Sequence, residues 1–191
     1  MTDDPYYWPG TVVLANAFDI HDADELRRVE DDLAGTVLAL LDAVDLPDEY
    51  GRELLCAIHS TVFGLIYPWA GRLRTVGITK GVGSFTPPEH LDAALHRFED
   101  DLAEAPDGSD RPAFVAALAR LYRDLNHVHP FREGNGRAQR AFWDLWCHEE
   151  GYRLDWASVT KDENDSACRA GDAGDLAPLE AMFDRVLLRA S

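Results

Sequence analysis

The apolar positions of this chain recur mainly at spacings of three and four residues, the period of one face of an α-helix. After Asp22 and Asp24, the two candidate helix caps, such a stripe continues for about five turns. Its members are Leu26, Val29, Leu33, Val37, Leu40 and Val44. Further apolar stripes follow Pro47 and Pro112. The pattern predicts an all-α protein with about seven to eight helices.

Residues 75–86 form the one stretch whose pattern alternates as in a β-strand. Val76 and Ile78 are separated by a single residue, and Gly81 and Gly83 supply the turn residues that follow. This arrangement predicts a β-hairpin. Because an isolated two-stranded hairpin is only marginally stable in water, we expect an adaptable flap rather than a rigid element. A purely structural hairpin that binds no partner is the alternative.

Composition fits a single domain that fills residues 1–191. Hydrophobic residues make up 46% of the chain, and no run of eighteen apolar residues occurs. The first ten residues are acidic and then aromatic, without the apolar core of a secretory signal, and are predicted to form an N-terminal arm. The three cysteines lack metal-ligand spacing. We therefore expect a cytoplasmic protein that does not associate with a membrane.

The charge balance is strongly acidic. The chain has 18 Lys and Arg against 35 Asp and Glu, a formal net charge of −17. Such a surface repels nucleic acid, so direct nucleic-acid binding is not expected. It also repels an anionic nucleotide, and a nucleotide site would therefore need a local cluster of cations.

One segment, residues 129–140, contains such a cluster together with every other part of a phosphate site. The run Gly134-Asn135-Gly136 allows a tight turn whose backbone N–H groups can bind an oxyanion. The residues that follow are predicted to form a helix, so the anion would lie at a helix N-terminus. Arg137 and Arg140 are three residues apart and are expected on one side of its first turn.

The same segment supplies a base and a candidate metal ligand. His129 precedes the turn and could accept a proton from an attacking hydroxyl. Glu133 offers a hard oxygen ligand suited to Mg²⁺ shared with phosphate oxygens. Each of these residue types alone is common in loops and on solvated helix faces. In this order and spacing, they indicate a transferase that uses a nucleotide.

Residues 129–140 resemble the signature of the Fic family, H-x-F-x-[D/E]-G-N-G-R-x-x-R, and fill every specified position. Tyr67-Pro68-Trp69-Ala70-Gly71 is also similar to a Fic segment, and the resemblance extends from about Tyr7 to the end of the chain. It implies the Fic fold, with a flap over the active site. It also implies the activity of most members, which transfer AMP from ATP to a hydroxyl side chain of a target protein.

The resemblance implies a role for each matching residue. His129 would be the general base, Phe131 would pin the loop in the core, and Glu133 would bind Mg²⁺. The residues implied to bind the phosphates of ATP are Gly134, Asn135, Gly136, Arg137 and Arg140. The backbone implied to align the target protein by strand pairing is that of Val76, Gly77, Ile78, Thr79 and Lys80.

The family also suggests how such an enzyme is restrained. Many members carry an inhibitory helix with the pattern [S/T]-x-x-x-E-[G/N], and no Ser or Thr of this chain has a Glu four residues later. This favours the toxin of a toxin–antitoxin pair, inhibited by a small antitoxin partner. A type II DNA topoisomerase subunit is the target that best fits such a bacterial member. The alternatives are transfer of another phosphate-containing group and a non-catalytic module that binds strands.

Overall fold

The computed structural model describes residues 4–80 and 83–190. In this part of the chain it contains seven α-helices, which confirms the predicted all-α class. The helices are α1 (Ala23–Leu38), α2 (Arg52–Phe63), α3 (Leu91–Ala103), α4 (Arg111–Val128), α5 (Asn135–Glu149), α6 (Lys161–Asp172) and α7 (Ala177–Val186). None of the helices in the described residues has the length and apolarity that a bilayer crossing requires.

Helix α1 begins as the sequence predicts but ends earlier. Asp22 is its N-cap, and the Asp22 carboxylate accepts the backbone N–H of Glu25 at 2.8 Å. The helix ends at Leu38 and is followed by a short 3₁₀ turn, Leu41–Ala43, so the predicted continuation to Val44 was wrong. Leu40 is 60% exposed. The apolar stripe therefore does not continue into the core at Leu40, and burial does not stabilise a longer helix.

Helices α4 and α5 form the centre of the molecule and flank the signature segment, residues 129–140. Asp110 caps α4 by accepting the backbone N–H of Ala113 at 3.2 Å. The apolar face of α5 includes Phe142 and Trp143, both fully buried. Their rings meet edge to face with centroids 5.1 Å apart, a favourable arrangement for aromatic pairs. The loop between the two helices is thus held between two buried elements.

Two small antiparallel sheets complete the fold. Strands β1 (Thr79–Lys80) and β2 (Gly83–Ser84) pair in register, with Thr79 opposite Ser84, as expected for the flap hairpin. The predicted turn residue Gly81 lies outside the described residues. Strands β3 (Tyr152–Leu154) and β4 (Leu187–Arg189) form a second sheet that the sequence did not predict. Each has three residues, too few for an alternating pattern to stand out.

The described part of the N-terminal arm packs against the domain. Tyr6 is buried, and its backbone carbonyl accepts the N–H of Ala15 at 2.8 Å. Its ring meets that of Trp69 edge to face at 5.2 Å. Trp8 stacks on His21 with centroids 4.8 Å apart and donates its indole N–H to the carbonyl of Ile20. Aromatic burial therefore fixes the arm beside the segment that precedes the flap.

Candidate active site

His129 is placed by the end of helix α4. The helix stops at Val128, and His129 adopts a left-handed conformation with φ = 47° while its N–H still bonds to the carbonyl of Leu125. Its ring stacks on Phe85, with centroids 3.8 Å apart. Nδ1 lies 3.2 Å from the carbonyl oxygen of Asn126. Because a carbonyl only accepts, this contact places a proton on Nδ1, and in the neutral ring Nε2 then carries the lone pair.

Asn135 closes the loop that follows His129. Its side-chain oxygen accepts the N–H of Phe131 at 2.9 Å, and its amide donates to the carbonyl of Phe131 at 2.8 Å. Asn135 is 3% exposed and Phe131 is fully buried. The Asn135 side chain is thus used within the loop, which leaves its backbone N–H as the group that can face a phosphate.

His59, on α2, packs against the same loop and bonds to its backbone. Its Nε2 donates to the carbonyl of Glu133 at 2.9 Å, and its Nδ1 accepts the N–H of Gly71 at 2.9 Å. The ring also stacks on Phe131 at 3.9 Å. Burial lowers the pKa of His59 to about 4, so the ring is neutral near pH 7. His59 is thus a structural histidine with both ring nitrogens hydrogen-bonded.

Gly134 occupies a position that only glycine fits. Its φ is +78°, and an added Cβ would lie 2.5 Å from the ring of Phe63. It is the N-cap of α5, and the first helical bond runs from the N–H of Ala138 to the carbonyl of Gly134. The N–H groups of Asn135, Gly136 and Arg137 therefore precede the helical ladder, as in anion sites at helix N-termini.

The two arginines of α5 line one cavity of about 580 Å³, as expected from their spacing, but they have different partners. Arg137 forms an ion pair with the buried Glu30 of α1 and a longer one, 3.4 Å, with Asp31. Arg140 lies over the ring of Trp156, with its guanidinium carbon 5.3 Å from the ring centroid. In the part of the chain that the structure describes, no carboxylate comes within ion-pair distance of Arg140. The sequence missed Glu30, which the Tyr67 hydroxyl also binds.

Glu133 is the residue of this site that could hold a metal ion together with phosphate oxygens. Its side chain is 45% exposed, and one carboxylate oxygen accepts the N–H of Gly134 at 2.9 Å. Among the described residues, no group of three or more His, Cys, Asp and Glu side chains could enclose a metal ion. A single accessible carboxylate beside an anion site is a usual arrangement for Mg²⁺, which keeps waters and binds substrate phosphates as well.

A buried arginine that the sequence analysis did not identify joins the flap to the catalytic loop. Arg74 is 2% exposed and donates to the carbonyls of Val76 at 2.9 Å and His129 at 2.8 Å. It also bonds to the carbonyls of Thr86 and Val128. Both ends of the flap segment and the C-terminal end of α4 are therefore held by one guanidinium.

His129 lines a cavity of about 410 Å³ between the flap and the signature segment. Its walls include Gly77, Ile78 and Thr79 of the flap segment, together with Phe85 and His129. The structure thus brings the predicted base and predicted docking backbone to one cavity. The side chain of Lys80 lies outside the described residues.

Comparison with known proteins supports the resemblance seen in the sequence. The Fic/DOC family model matches residues 49–147. A protein of Salmonella typhimurium named "Probable protein adenylyltransferase Fic" is 33% identical over 98% of this chain and 94% of its own length. Protein adenylyltransferase VbhT of Bartonella schoenbuchensis is 33% identical over 85% of this chain, which spans 34% of that longer protein.

Solved structures show the same fold. BepC of Bartonella tribocorum, solved with bound AMPPNP, has a TM-score of 0.87 at 24% identity and covers 97% of each chain. The type IV secretion system effector BepA has a TM-score of 0.85 at 28% identity, over 95% of this chain and 68% of that one.

Replacing the buried arginine tests its role in holding the loop. Arg74→Met should lower the free energy of unfolding by about 3 kcal/mol, because buried carbonyls lose their donor. Urea denaturation measures the change, and Arg72→Met, at an exposed position two residues earlier, is the matched control. A loss below about 1 kcal/mol, the net value of an ordinary hydrogen bond, would contradict this assignment.

Proposed function

Because this chain belongs to the Fic/DOC family, we propose that it is a protein adenylyltransferase, which transfers AMP from ATP to a hydroxyl side chain of a target protein. The observation that carries the proposal is the position of His129. Its ring lies on the wall of the flap cavity, six residues before Asn135, where α5 begins. A base and an anion-binding helix N-terminus are thus joined by one rigid loop.

In this mechanism, His129 accepts the proton of the attacking hydroxyl through Nε2. The bond from Nδ1 to the Asn126 carbonyl orients the ring and favours the tautomer that a base requires. The hydroxyl oxygen forms a new bond to the α-phosphorus of ATP, and the bond to the leaving pyrophosphate breaks in line. Because the reaction needs little covalent chemistry from the protein, positioning and charge neutralisation supply most of the acceleration.

The phosphates of ATP would bind at the N-terminus of α5. The backbone N–H groups of Asn135 and Gly136 face the anion, and Arg140 contacts the terminal phosphates. Arg137 would reach them only by sharing its guanidinium with Glu30, so we assign it the smaller part. When bound at Glu133, Mg²⁺ would offset the negative charge of the phosphates.

The target protein would dock on the flap. We propose that the backbone from Val76 to Lys80 pairs with an extended segment of the target, as a strand added to an open edge. Such main-chain bonds fix the register of the target while its side chains vary. The flap has only a short two-stranded ladder in its described residues. Because such a hairpin is marginally stable by itself, a third strand from the target would stabilise it.

We also propose that the enzyme acts in the cytoplasm, where ATP is abundant, as the toxin of a toxin–antitoxin pair. The absence of the inhibitory sequence pattern supports this idea, as does the lack of any described carboxylate paired with Arg140. A small antitoxin would supply a glutamate to Arg140 in trans. A type II DNA topoisomerase subunit is the target we would examine first.

The central experiment is incubation of the purified chain with ATP labelled at the α-phosphate in a bacterial lysate. We expect one or a few proteins to become labelled. His129→Ala should reduce labelling about 10²–10⁴-fold without unfolding the protein, since it removes the base but no core contact. His127→Ala, at an exposed position two residues earlier, is the control. Undiminished labelling by a folded His129→Ala protein would refute the assignment.

Nucleotide binding tests the orientation of ATP. Arg140→Ala should weaken ATP binding about tenfold or more but leave AMP binding nearly unchanged, because AMP lacks the terminal phosphates. Isothermal titration with each nucleotide measures the difference, and Arg120→Ala on α4 serves as the control. Equal losses for ATP and AMP would show that Arg140 does not contact the terminal phosphates.

A charge in the flap tests docking of the target. Ile78→Asp should reduce target labelling about tenfold or more while ATP affinity stays the same, because it places a desolvated carboxylate where the target strand packs. Leu65→Asp provides the comparison, since Leu65 is 63% exposed and is not among the residues that line the cavity. Unchanged labelling by Ile78→Asp would exclude this hairpin as the docking edge.

A further inference from the structure

The cavity in front of His129 has a second wall that does not belong to the flap. Asp4 and Tyr7 of the N-terminal arm line it together with Arg132 of the signature segment. Arg132 occupies an unspecified position of the signature, so the motif gives it no role. The same cavity is lined by the flap backbone around Ile78, along which a target segment would have to pass.

Arg132 and the arm form a defined contact rather than a loose one. The Asp4 carboxylate accepts from both Nε and a terminal nitrogen of Arg132 at 3.0 Å. The side chains of Arg132 and Asp4 are only 12% and 14% exposed. The guanidinium also lies over the Tyr7 ring, with its central carbon 4.8 Å from the ring centroid. A nearly buried ion pair and a cation–π contact thus set where Tyr7 stands.

The arm is anchored independently on its other side. The Tyr6 hydroxyl accepts the N–H of Thr75 at 3.1 Å, at the start of the flap segment. The second oxygen of Asp4 accepts the Tyr6 N–H at 3.0 Å. Because Tyr6 remains buried against Trp69, a substitution at Arg132 would release the wall without detaching the whole arm.

We propose that Asp4, Tyr7 and Arg132 form a specificity-determining wall of the acceptor site, a proposal that rests on the function proposed above. The extended target segment would lie between this wall and the flap, with its hydroxyl directed to His129. Asp4 neutralises Arg132, and Tyr7 covers one face of the guanidinium. The wall therefore carries no net charge and fits an uncharged side chain beside the acceptor hydroxyl.

This arrangement makes a prediction that separates target recognition from nucleotide chemistry. Arg132→Met and Asp4→Asn should each raise the KM for the target about tenfold, because each releases the wall and leaves its partner unpaired. The KM for ATP should stay within about twofold, since neither residue lies at the N-terminus of α5. The exchange Asp4→Arg with Arg132→Asp should recover most of the loss, because it restores the pair with its charges reversed.

The experiment measures initial rates with the lysate protein that becomes labelled, after its purification, at varied concentrations of that protein and of ATP. Thermal unfolding of each variant is measured in parallel, and Arg120→Met, which breaks a 3.5 Å surface pair with Asp101, is the control. A raised target KM at unchanged ATP KM, with recovery in the exchanged pair, supports the wall.

Three outcomes would overturn the proposal, and they are distinguishable. If the wild-type chain labels no protein, the proposed function fails and the wall fails with it. If the wild type labels its target but Arg132→Met and Asp4→Asn keep the wild-type target KM, only the wall is refuted. A fall in kcat or in thermal stability with an unchanged target KM would assign these residues a purely structural role, which also refutes it.

Discussion

A buried loop must satisfy its own backbone polar groups, and this constraint governs the structure around His129. The loop between α4 and α5 has no strand or helix partner, and an unpaired buried N–H or C=O costs about 1–3 kcal/mol. Three buried side chains supply the bonds: Asn135, His59 and Arg74. Each of these side chains is polar and almost fully buried. The free-energy cost of burying them is offset only by the hydrogen bonds that this loop conformation provides.

Charge explains why the two signature arginines differ. On a chain with a net charge of −17, an arginine beside α1 is readily neutralised, and Arg137 is held by Glu30 and Asp31. Arg140 instead rests on an aromatic ring, a contact that does not neutralise its charge. Asp144, one turn later, accepts the Trp156 indole N–H at 2.9 Å, and burial raises its pKa to about 7. The positive charge of Arg140 acts on Asp144, whose pKa it lowers against the effect of burial, whereas the charge of Arg137 is paired with α1.

The sequence was informative wherever a residue acts through its neighbours in the chain. The helix stripes, the Asp22 cap and the left-handed Gly134 follow from local periodicity and turn chemistry. Arg74 could not be identified this way, because its partners include distant segments and nothing local distinguishes it from the exposed Arg72. Strands β3 and β4 were missed for the same reason, since their pairing joins residues far apart in sequence.

One missed residue did leave a signal. Glu30 stands at the position of the buried stripe of α1 between Leu26 and Ala34, four residues from each. A carboxylate on a core-facing stripe implies a buried partner, because an unpaired buried charge is costly. The structure identifies this partner as the first arginine of the signature, and the ion pair links α1 to the site.

The site combines a loop held by buried hydrogen bonds with a flap whose described ladder has two residue pairs, and this division suits a transferase that acts on a protein target. His129 and the start of α5 are fixed by buried hydrogen bonds, as a reaction that depends on positioning requires. The flap has two paired residues on each strand. At its base, the carbonyl of Val76 accepts a hydrogen bond from Arg74, which is the one buried arginine among the described residues. Arg74 bonds the carbonyls of Val76 and Thr86 in the flap segment and of His129, so the flap base and the signature loop share one anchor. A target segment that pairs with the flap, as proposed, would therefore be placed relative to His129 by the same buried guanidinium.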